Sequence, residues 1–313
     1  MPEVKKNAFS FKSSNGTDTV AGYYYTCPGM EPRCILQISH GMCEYIGRYD
    51  PFLRFLAQHG YVACGNDHIG HGHSSPDEDH LGYMGGMEGD RWIVEDLHRF
   101  NRIVRKTHPG LPCVMLGHSM GSFAARVYAA QYGHTLAGLI LSGTGGKNPA
   151  APLGEKLARA LSRRAGERER TPVLTRLIFQ DYNRAFEPRR TDSDWLTRDN
   201  DLVDRYIDDP FCTFTFTNSA YAALLRLHHQ ANSRKTFQRT PKELPVYLFS
   251  GDKDPVGGNG EGVAQVFRRY NEAGLWDVEL KLYPDGRHEM LNELNRQEVY
   301  KDVLGWLDFH LAE

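Results

Sequence analysis

Short runs of apolar residues alternate with amphipathic segments along most of the chain. The runs are continuously apolar and bounded by turn-forming residues, as expected of strands buried on both faces. The segments between them carry apolar residues at helical spacing and end near glycine or proline, which predicts helices. The predicted strands lie at 34–41, 61–67, 113–118, 136–143, 246–251 and 277–285, and the predicted helices at 49–60, 90–110, 121–133, 262–274 and 294–312.

Two aromatic-rich runs come first, at 8–14 and 20–27, separated by the turn-forming letters NGTD. They predict an opening hairpin. Strands that then alternate with helices predict an α/β protein with a mostly parallel central sheet and helices on both faces. Right-handed crossovers bring the carboxyl ends of the parallel strands to one edge, where a ligand site is expected.

The alternation stops between residues 144 and 240. This segment opens with GTGGKNPAAPLG and closes with RKTFQRTPKELP, which are both rich in turn-forming residues. It contains helical patterns but no good strand–helix–strand unit. We therefore predict that it is an inserted helical lid, and that residues 1–143 and 241–313 form the core that contains the sheet.

Composition narrows the class of protein. The 313 residues carry a net charge of −2, so no global charge predicts binding to nucleic acid. No apolar run is long enough to span a membrane. The start, MPEVKKNAFSFKSS, lacks the apolar core of a signal peptide, which predicts a cytoplasmic protein. Six scattered cysteines, without a C-x-x-C pair, are predicted to be free thiols; they are Cys27, Cys34, Cys43, Cys64, Cys113 and Cys212.

The stretch VMLGHSMGSF, residues 114–123, places Ser119 between a predicted strand and a predicted helix. Gly117 and Gly121 lie two positions away on either side. Side chains at the glycine positions would collide where the helix folds back on the strand, so this G-x-S-x-G pattern predicts a tight turn that exposes the serine oxygen at the sheet edge. Because an alcohol is a weak nucleophile at neutral pH, a nucleophilic Ser119 needs a base that is itself oriented.

A histidine and an acid are available at the same edge. His288, in YPDGRHEMLNE, follows the last predicted strand and precedes the last predicted helix. It fits the chain order of nucleophile, acid and histidine. The loop after the preceding strand, in LFSGDKDPVGG, offers two acids, Asp252 and Asp254, and the residues alone leave both open.

Together these stretches resemble the monoglyceride lipase and lysophospholipase family, a branch of the α/β-hydrolase fold. The resemblance covers ISHGMCEYIGRYDPFLRFLAQHGYVACGNDHIGHGHS, LGHSMGS, SGDKDPVG and GRHEMLNE, and the segment at 194–221 resembles the lid of bacterial members. It implies that Asp254 is the acid and that the backbone N–H groups of Met42 and Met120 form the oxyanion hole. It also implies a serine hydrolase that cleaves single-chain lipid esters without a metal or an organic cofactor.

The lid segment is rich in large apolar residues, too many for a small polar ligand. We predict that Leu177, Phe179 and Phe214 line an acyl pocket together with Cys43, for which an inert packed thiol is the alternative. The pattern at 152–170 combines an apolar stripe with six basic and three acidic residues. It predicts either a weak contact with an anionic lipid surface or a solvated helix docked by its apolar side.

Three other interpretations compete with this one. The histidines of DHIGHGHSSPDEDH, at 67–80, suggest zinc, but their spacing departs from H-x-H-x-D-H and the glycines fit a tight loop. A non-catalytic binding protein on a hydrolase fold is the second, although no member of the triad is missing. The third is a serine peptidase resembling proline iminopeptidases, which bind a substrate amine with lid carboxylates; candidates here are Asp192, Asp194, Asp199 and Asp201.

Overall fold

One eight-stranded sheet forms the centre of the molecule, in a computed structural model that describes residues 3–311. Its strands are β1 (Lys5–Lys12), β2 (Thr19–Thr26), β3 (Cys34–Ser39), β4 (Tyr61–Asn66), β5 (Cys113–His118), β6 (Gly138–Ser142), β7 (Val246–Gly251) and β8 (Val278–Tyr283). Their order across the sheet is β1-β2-β4-β3-β5-β6-β7-β8. β2 pairs antiparallel with β1 and β4, and all other neighbours are parallel. The predicted hairpin and mostly parallel sheet are confirmed.

Helices cover both faces of the sheet, as predicted. They are α1 (Asp50–Ala57), α2 (Gly89–Thr107), α3 (Met120–Tyr132), α4 (Ala151–Ala165), α5 (Pro172–Phe179), α6 (Asn200–Asp208), α7 (Asn218–Ala231), α8 (Arg234–Arg239), α9 (Glu261–Glu272) and α10 (Arg296–His310). The buried residues of α1 and α10 form one core layer, and those of α3 and α9 belong to the other. α2 packs on the same face as α3, because its Ile93, Val94 and Leu97 belong to the second layer, while its Phe100 and Val104 form a smaller cluster with residues of β3, β4 and β5.

Alternate residues of the central strands pack in the two core layers on opposite faces of the sheet. In β5, Val114 and Leu116 pack in the layer of α1 and α10, whereas Met115 packs in the layer of α3 and α9. Strands β3 to β7 are buried along their whole lengths. Since side chains alternate between the faces of a strand, continuous apolar sequence is what such a two-sided sheet requires.

The segment between β6 and β7 contains helices α4 to α8 and no strand among the residues that the structure describes. α7 packs on α2 and α3, and its Leu224 and Leu227 belong to the core layer of α3 and α9. Arg226 on α7 also forms an ion pair with Asp90 in the first turn of α2. The inserted helices are therefore anchored to the core through α7. Within residues 3–311, no helix has both the length and the apolar character needed to cross a bilayer.

Candidate active site

Ser119 lies on the turn between β5 and α3. Its backbone has φ 52° and ψ −121°, a combination that residues other than glycine rarely adopt. Two backbone hydrogen bonds hold the turn: Ser119 N–H donates to the Ser142 carbonyl at 3.0 Å, and Ser122 N–H donates to the Ser119 carbonyl at 2.9 Å. The turn leaves Ser119 partly exposed on the wall of a cavity.

Glycine is required on both sides of this serine. A Cβ on Gly121 would lie 2.0 Å from the carbonyl oxygen of Ser39, and one on Gly117 would lie 2.5 Å from the carbonyl oxygen of Gly121. Both obstacles are backbone atoms that a rotamer change cannot move. Neither position accepts a side chain unless a strand or a helix shifts, which is the steric reason for the G-x-S-x-G pattern.

His288 and Asp254 form a buried hydrogen-bonded pair in the loops that follow β8 and β7. Nδ1 of His288 lies 2.9 Å from Oδ1 of Asp254. The Asp254 carboxylate is wholly buried and also accepts the Ser250 hydroxyl at 2.8 Å and the Val256 N–H at 2.9 Å. Because a carboxylate only accepts, Nδ1 carries the proton and Nε2 remains an acceptor.

Asp252, the other candidate for the acid that orients His288, forms its hydrogen bond away from the histidine. Its carboxylate accepts the N–H of Asp285 at 2.8 Å, and its side chain is 35% exposed. Of the two acids, the fold thus brings Asp254 to the histidine. This is the arrangement that the family resemblance implies.

The pKa of His288 reflects two opposing effects. Burial lowers the pKa of the imidazole, but the charge and hydrogen bond of Asp254 raise it, and the balance lies above the ordinary histidine value. Burial would raise the pKa of Asp254, yet the same pairing, with the hydrogen bonds from Ser250 and Val256, holds it below its usual range. The pair is therefore a carboxylate beside an imidazole that readily accepts a second proton.

We expect hydrolysis to fall as the pH is lowered through the pKa of His288. The imidazole must be neutral to accept a proton, so activity is complete above this pKa and is lost below it. The pH dependence of kcat/KM should follow one group with an apparent pKa above about 6.5, since pairing raises the ordinary value. A flat profile between about pH 5 and 8, for protein that stays folded, contradicts a histidine base.

The serine and the histidine line one cavity of about 710 Å³. Met42 and Met120, whose N–H groups the resemblance implies for the oxyanion hole, line the same cavity. Twelve apolar or aromatic residues line the same cavity: Phe123, Ile178, Phe179, Tyr182, Trp195, Leu196, Tyr206, Ile207, Phe214, Tyr221, Leu224 and Val256. Its charged lining residues are Glu44, Arg176, Arg189, Asp192 and Glu289. A cavity of this volume and lining suits a ligand with a substantial apolar part.

Three of the four side chains predicted for the acyl pocket line this cavity. They are Cys43, Phe179 and Phe214. The prediction was wrong for Leu177, which lies on the outer face of α5 with Val173; the two are 51% and 50% exposed. Residues four apart share a helix face, so Leu177 follows Val173 outward, whereas Ile178 follows the buried Leu174 inward.

Cys43 both lines the cavity and packs as an inert thiol, so the structure agrees with part of each interpretation of this residue. It lines the cavity, yet it is only 7% exposed, and its thiol donates to the carbonyl oxygen of Phe214 at 3.2 Å. Burial raises the pKa of this thiol well above its usual range, so it is protonated and weakly nucleophilic. The thiol therefore packs the cavity wall.

A buried ionic network joins the segment that precedes α1 to the histidine loop. Glu44 accepts the N–H of Gly41, and Arg48 donates to Glu44 at 3.2 Å. Arg48 also donates twice to Glu289, at 2.5 and 2.7 Å, and Glu289 directly follows the paired histidine. Burial raises the pKa of the Glu44 carboxyl. Burial would also raise the pKa of Glu289, but its pairing with Arg48 holds this pKa below its usual range. Sequence reasoning missed this network, although the four-residue spacing of Glu44 and Arg48 was a usable signal.

We expect Arg48→Met to lower the free energy of unfolding by about 3–5 kcal/mol, because two buried carboxylates lose their cation. Arg54→Met is the matched control. Arg54 also pairs with an acid four residues away, Asp50, but these side chains are 43% and 33% exposed, so its loss should cost less than about 1 kcal/mol. Chemical denaturation of both variants measures the difference. Equal losses would contradict a tightly coupled network.

The segment between α5 and α6 supplies site residues that the sequence did not identify. The Trp195 ring lies 5.0 Å from the His288 ring, centroid to centroid, and the Trp195 carbonyl accepts the His288 N–H at 3.3 Å. Tyr182 stacks edge-on against Trp195, with centroids 4.9 Å apart. This segment has neither helix nor strand periodicity, so no pattern in the sequence indicates that it reaches the histidine.

The four aspartates that a peptidase could use to bind a substrate amine do not all lie at the cavity. Asp192 lines the cavity, where Arg189 pairs with it. Asp194 accepts the N–H groups of residues 190 and 191, and Asp199 caps α6. Asp194, Asp199 and the exposed Asp201 are not among the cavity-lining residues. A substrate amine would therefore meet one lid carboxylate, which already has a cationic partner.

The histidines at 67–80 form hydrogen bonds within their loop and with the end of β3. His71 Nδ1 contacts the Ile69 carbonyl at 3.0 Å, His68 Nε2 contacts the Ser39 hydroxyl at 3.2 Å, and His80 pairs with a neighbouring acid. Among residues 3–311, none of these histidines belongs to a group of three side chains placed to share a metal ion. The loop geometry thus supports the packed alternative.

Comparison with known proteins agrees with this site. The family model described as serine aminopeptidase, S33, a group of hydrolases, matches residues 30–295. The chain belongs to this family. A monoacylglycerol lipase from Mycolicibacterium smegmatis is 28% identical to this S33 hydrolase over 99% of this chain and 100% of that protein. The human monoglyceride lipase is 35% identical, over 93% and 89% of the two chains.

The S33 hydrolase is also similar to solved structures. A thermostable carboxyl esterase from Bacillus coagulans, in complex with glycerol, superposes with a TM-score of 0.92 at 32% identity, covering 98% of this chain and 99% of that one. The predicted resemblance to monoglyceride lipases and the α/β-hydrolase fold are confirmed.

Proposed function

We propose that this S33 hydrolase cleaves carboxylic esters of single-chain lipids, and monoacylglycerols above all, through an acyl-enzyme on Ser119. The observation that carries the proposal is the buried His288–Asp254 pair, with Nε2 free to accept, on the same apolar-walled cavity as the serine of a G-x-S-x-G turn. Related proteins named as monoacylglycerol lipases and a carboxyl esterase support the reaction class.

The mechanism follows from these groups. Ser119 Oγ attacks the ester carbonyl while His288 Nε2 takes its proton, and Asp254 stabilises the resulting imidazolium. The N–H groups of Met42 and Met120 donate hydrogen bonds to the negatively charged carbonyl oxygen; each such donor contributes about 3–4 kcal/mol in comparable enzymes. The C–O bond then breaks as His288 returns the proton to the leaving alcohol. Water, activated by the same histidine, releases the carboxylic acid from Ser119.

The inserted helices are proposed to act as the lid and to provide the acyl site. Ile178, Phe179, Phe214 and Leu224 supply apolar wall to the cavity from three parts of the insert. Each buried CH₂ contributes about 0.8 kcal/mol, so kcat/KM should rise from acetyl to medium-chain esters until the wall is filled. Triacylglycerol should be a poorer substrate than monoacylglycerol, because the proposed lid should exclude its two extra chains.

The charge beside Ser119 favours a neutral head group. Glu44 and Glu289 line the cavity beside the Gly41 loop and the histidine loop, whereas their cation, Arg48, does not. The cations of the cavity wall, Arg176 and Arg189, belong to the inserted segment. A phosphate next to the ester would therefore approach Glu44 and the ionised Glu289, and like charges in a partly buried site repel. A glycerol head group carries only hydroxyl groups, so these acids do not repel it electrostatically. This favours monoacylglycerol over a lysophospholipid.

Turnover of matched lipids tests the substrate proposal. With one medium-length acyl chain, we expect monoacylglycerol to have a higher kcat/KM than lysophosphatidic acid, lysophosphatidylcholine and triacylglycerol. Glu44→Gln should raise the relative rate on lysophosphatidic acid. An optimum at acetate, or faster turnover of either lysophospholipid, overturns the proposed substrate while leaving the serine mechanism intact.

The outer lid surface is proposed to contact membranes weakly. Leu153 and Leu157 on α4 are 72% and 39% exposed, and the same helix carries basic residues such as Arg163 in its last turn. Apolar side chains flanked by cations suit an anionic lipid surface. Cosedimentation with anionic vesicles should decrease for Leu153→Asp; equal binding by this variant and the native protein excludes α4 from the contact.

A further inference from the structure

The strand β8 forms an unpaired edge of the sheet. Among the described residues its only strand neighbour is β7. Val246 N–H donates to the Asp277 carbonyl at 3.0 Å, and Val246 is opposite Val278. Parallel pairing uses alternate residues of each strand, so the backbone groups of Val278, Leu280 and Leu282 point away from β7. Such an edge can pair with another strand unless its side chains prevent this.

The sequence of β8, VELKLY, is complementary to itself in one register. In an antiparallel pair centred on Leu280, Glu279 of each copy lies opposite Lys281 of the other, and Val278 lies opposite Leu282. The outward backbone groups of Leu280 then face each other, which is the hydrogen-bonded geometry, and the two charge pairs occupy the closer, non-hydrogen-bonded positions. We propose that two copies of this protein form a twofold-symmetric dimer by pairing their β8 edges.

The opposite edge of the sheet shows the contrasting pattern. Strand β1 carries three lysines, Lys5, Lys6 and Lys12, and no acidic residue, so a second copy meets repulsion. A lysine on an edge strand ordinarily discourages pairing. On β8, Glu279 stands two residues before Lys281 and on the same face, so each lysine would meet a glutamate of the other copy. Within one copy Lys281 Nζ already donates to Glu298 at 3.1 Å and to Asp302 at 2.5 Å on α10, and Glu279 of the other copy would join this cluster. A second copy of the chain is therefore the partner that this edge fits.

Exposed aromatic side chains flank the same edge. Trp276 and Phe309 are 79% and 76% exposed, the highest values among the large apolar side chains of the described residues. Trp276 precedes β8, and continuing the register places it opposite the exposed Pro284 of the other copy. Phe309 lies close by, since its neighbour His310 bonds to Asp277 at 2.8 Å. Pairing through β8 would cover apolar surface that the single copy leaves in water.

Charge reversal tests both the dimer and its register. The native protein should sediment as a dimer at micromolar concentration, and Glu279→Lys and Lys281→Glu should each raise the dimer dissociation constant by about tenfold or more. An equimolar mixture of the two variants should recover a heterodimer, because both cross-strand pairs then join opposite charges. Glu272→Lys and Lys301→Glu, on exposed positions of α9 and α10, are the matched controls.

Each outcome decides the proposal. A native protein that stays monomeric, variants that remain dimeric, or a mixture that remains monomeric overturns it. Because Lys281→Glu also removes the pairs with Glu298 and Asp302 within one copy, circular dichroism must show that this variant is folded. Trp276→Glu, a second variant outside the charge pairs, should also weaken the dimer. Hydrolysis of a short-chain nitrophenyl ester should be unchanged in all variants, since the β8 edge lies outside the cavity. The dimer and the proposed reaction can therefore fail independently.

Discussion

Replacement of Asp254 by asparagine is expected to lower kcat by about 10⁴-fold, the loss seen when an amide replaces the acid in comparable triads. The asparagine would keep the shape of the side chain but not its charge. An amide can donate to Nδ1 and so favour the tautomer with the proton on Nε2, and it cannot stabilise the imidazolium. The change should leave KM nearly unaltered, because Asp254 is buried behind His288.

Asp252→Asn is the matched control for this prediction. It is the same chemical change two residues away, at a carboxylate that holds a surface turn through the Asp285 N–H. Steady-state kinetics on one ester should show kcat within a small factor of the native value. Similar losses in the two variants, or a larger loss for Asp252→Asn, would reject Asp254 as the acid.

Ser119→Ala should have the largest effect, a loss of kcat of about 10⁶-fold, as for removal of the nucleophile in comparable serine hydrolases. Attack requires a hydroxyl within hydrogen-bond reach of Nε2 of His288, and we assign that hydroxyl to Ser119. Ser193→Ala, at another serine of the same cavity, should keep nearly full activity. Fluorophosphonate labelling followed by peptide mass analysis checks both variants. Labelling of Ser119→Ala at native stoichiometry would disprove the assignment.

Local patterns were sufficient to predict the core of the fold. The apolar runs of β3 to β7 became buried strands, with β5 and β7 at the predicted residues, because a sheet covered on both faces demands apolar side chains in both directions. The turn at Ser119 was predictable for a similar reason, because backbone atoms close to Gly117 and Gly121 leave no room for a side chain at either position. Such short-range steric requirements determine the identity of neighbouring residues, so the local sequence is enough to predict them.

Long-range contacts account for what the sequence did not predict. Helical spacing placed Leu177 and Ile178 on one helix but could not say which face of α5 meets the core. The contact of Trp195 with His288 and the bridge from Arg48 to Glu289 join residues 93 and 241 positions apart. The choice between Asp252 and Asp254 likewise needed the family resemblance, because both acids follow the same strand.

The S33 family model bears the description of an aminopeptidase, so the reaction itself is the most direct test of the proposed function. The decisive measurement is kcat/KM for a medium-chain monoacylglycerol beside that for an N-terminal aminoacyl amide, with native protein and Asp192→Asn. We predict that the ester is cleaved far faster, and that Asp192→Asn changes neither rate appreciably, because Arg189 already pairs with Asp192. Faster cleavage of the amide, lost in Asp192→Asn, would contradict ester hydrolysis and establish a peptidase.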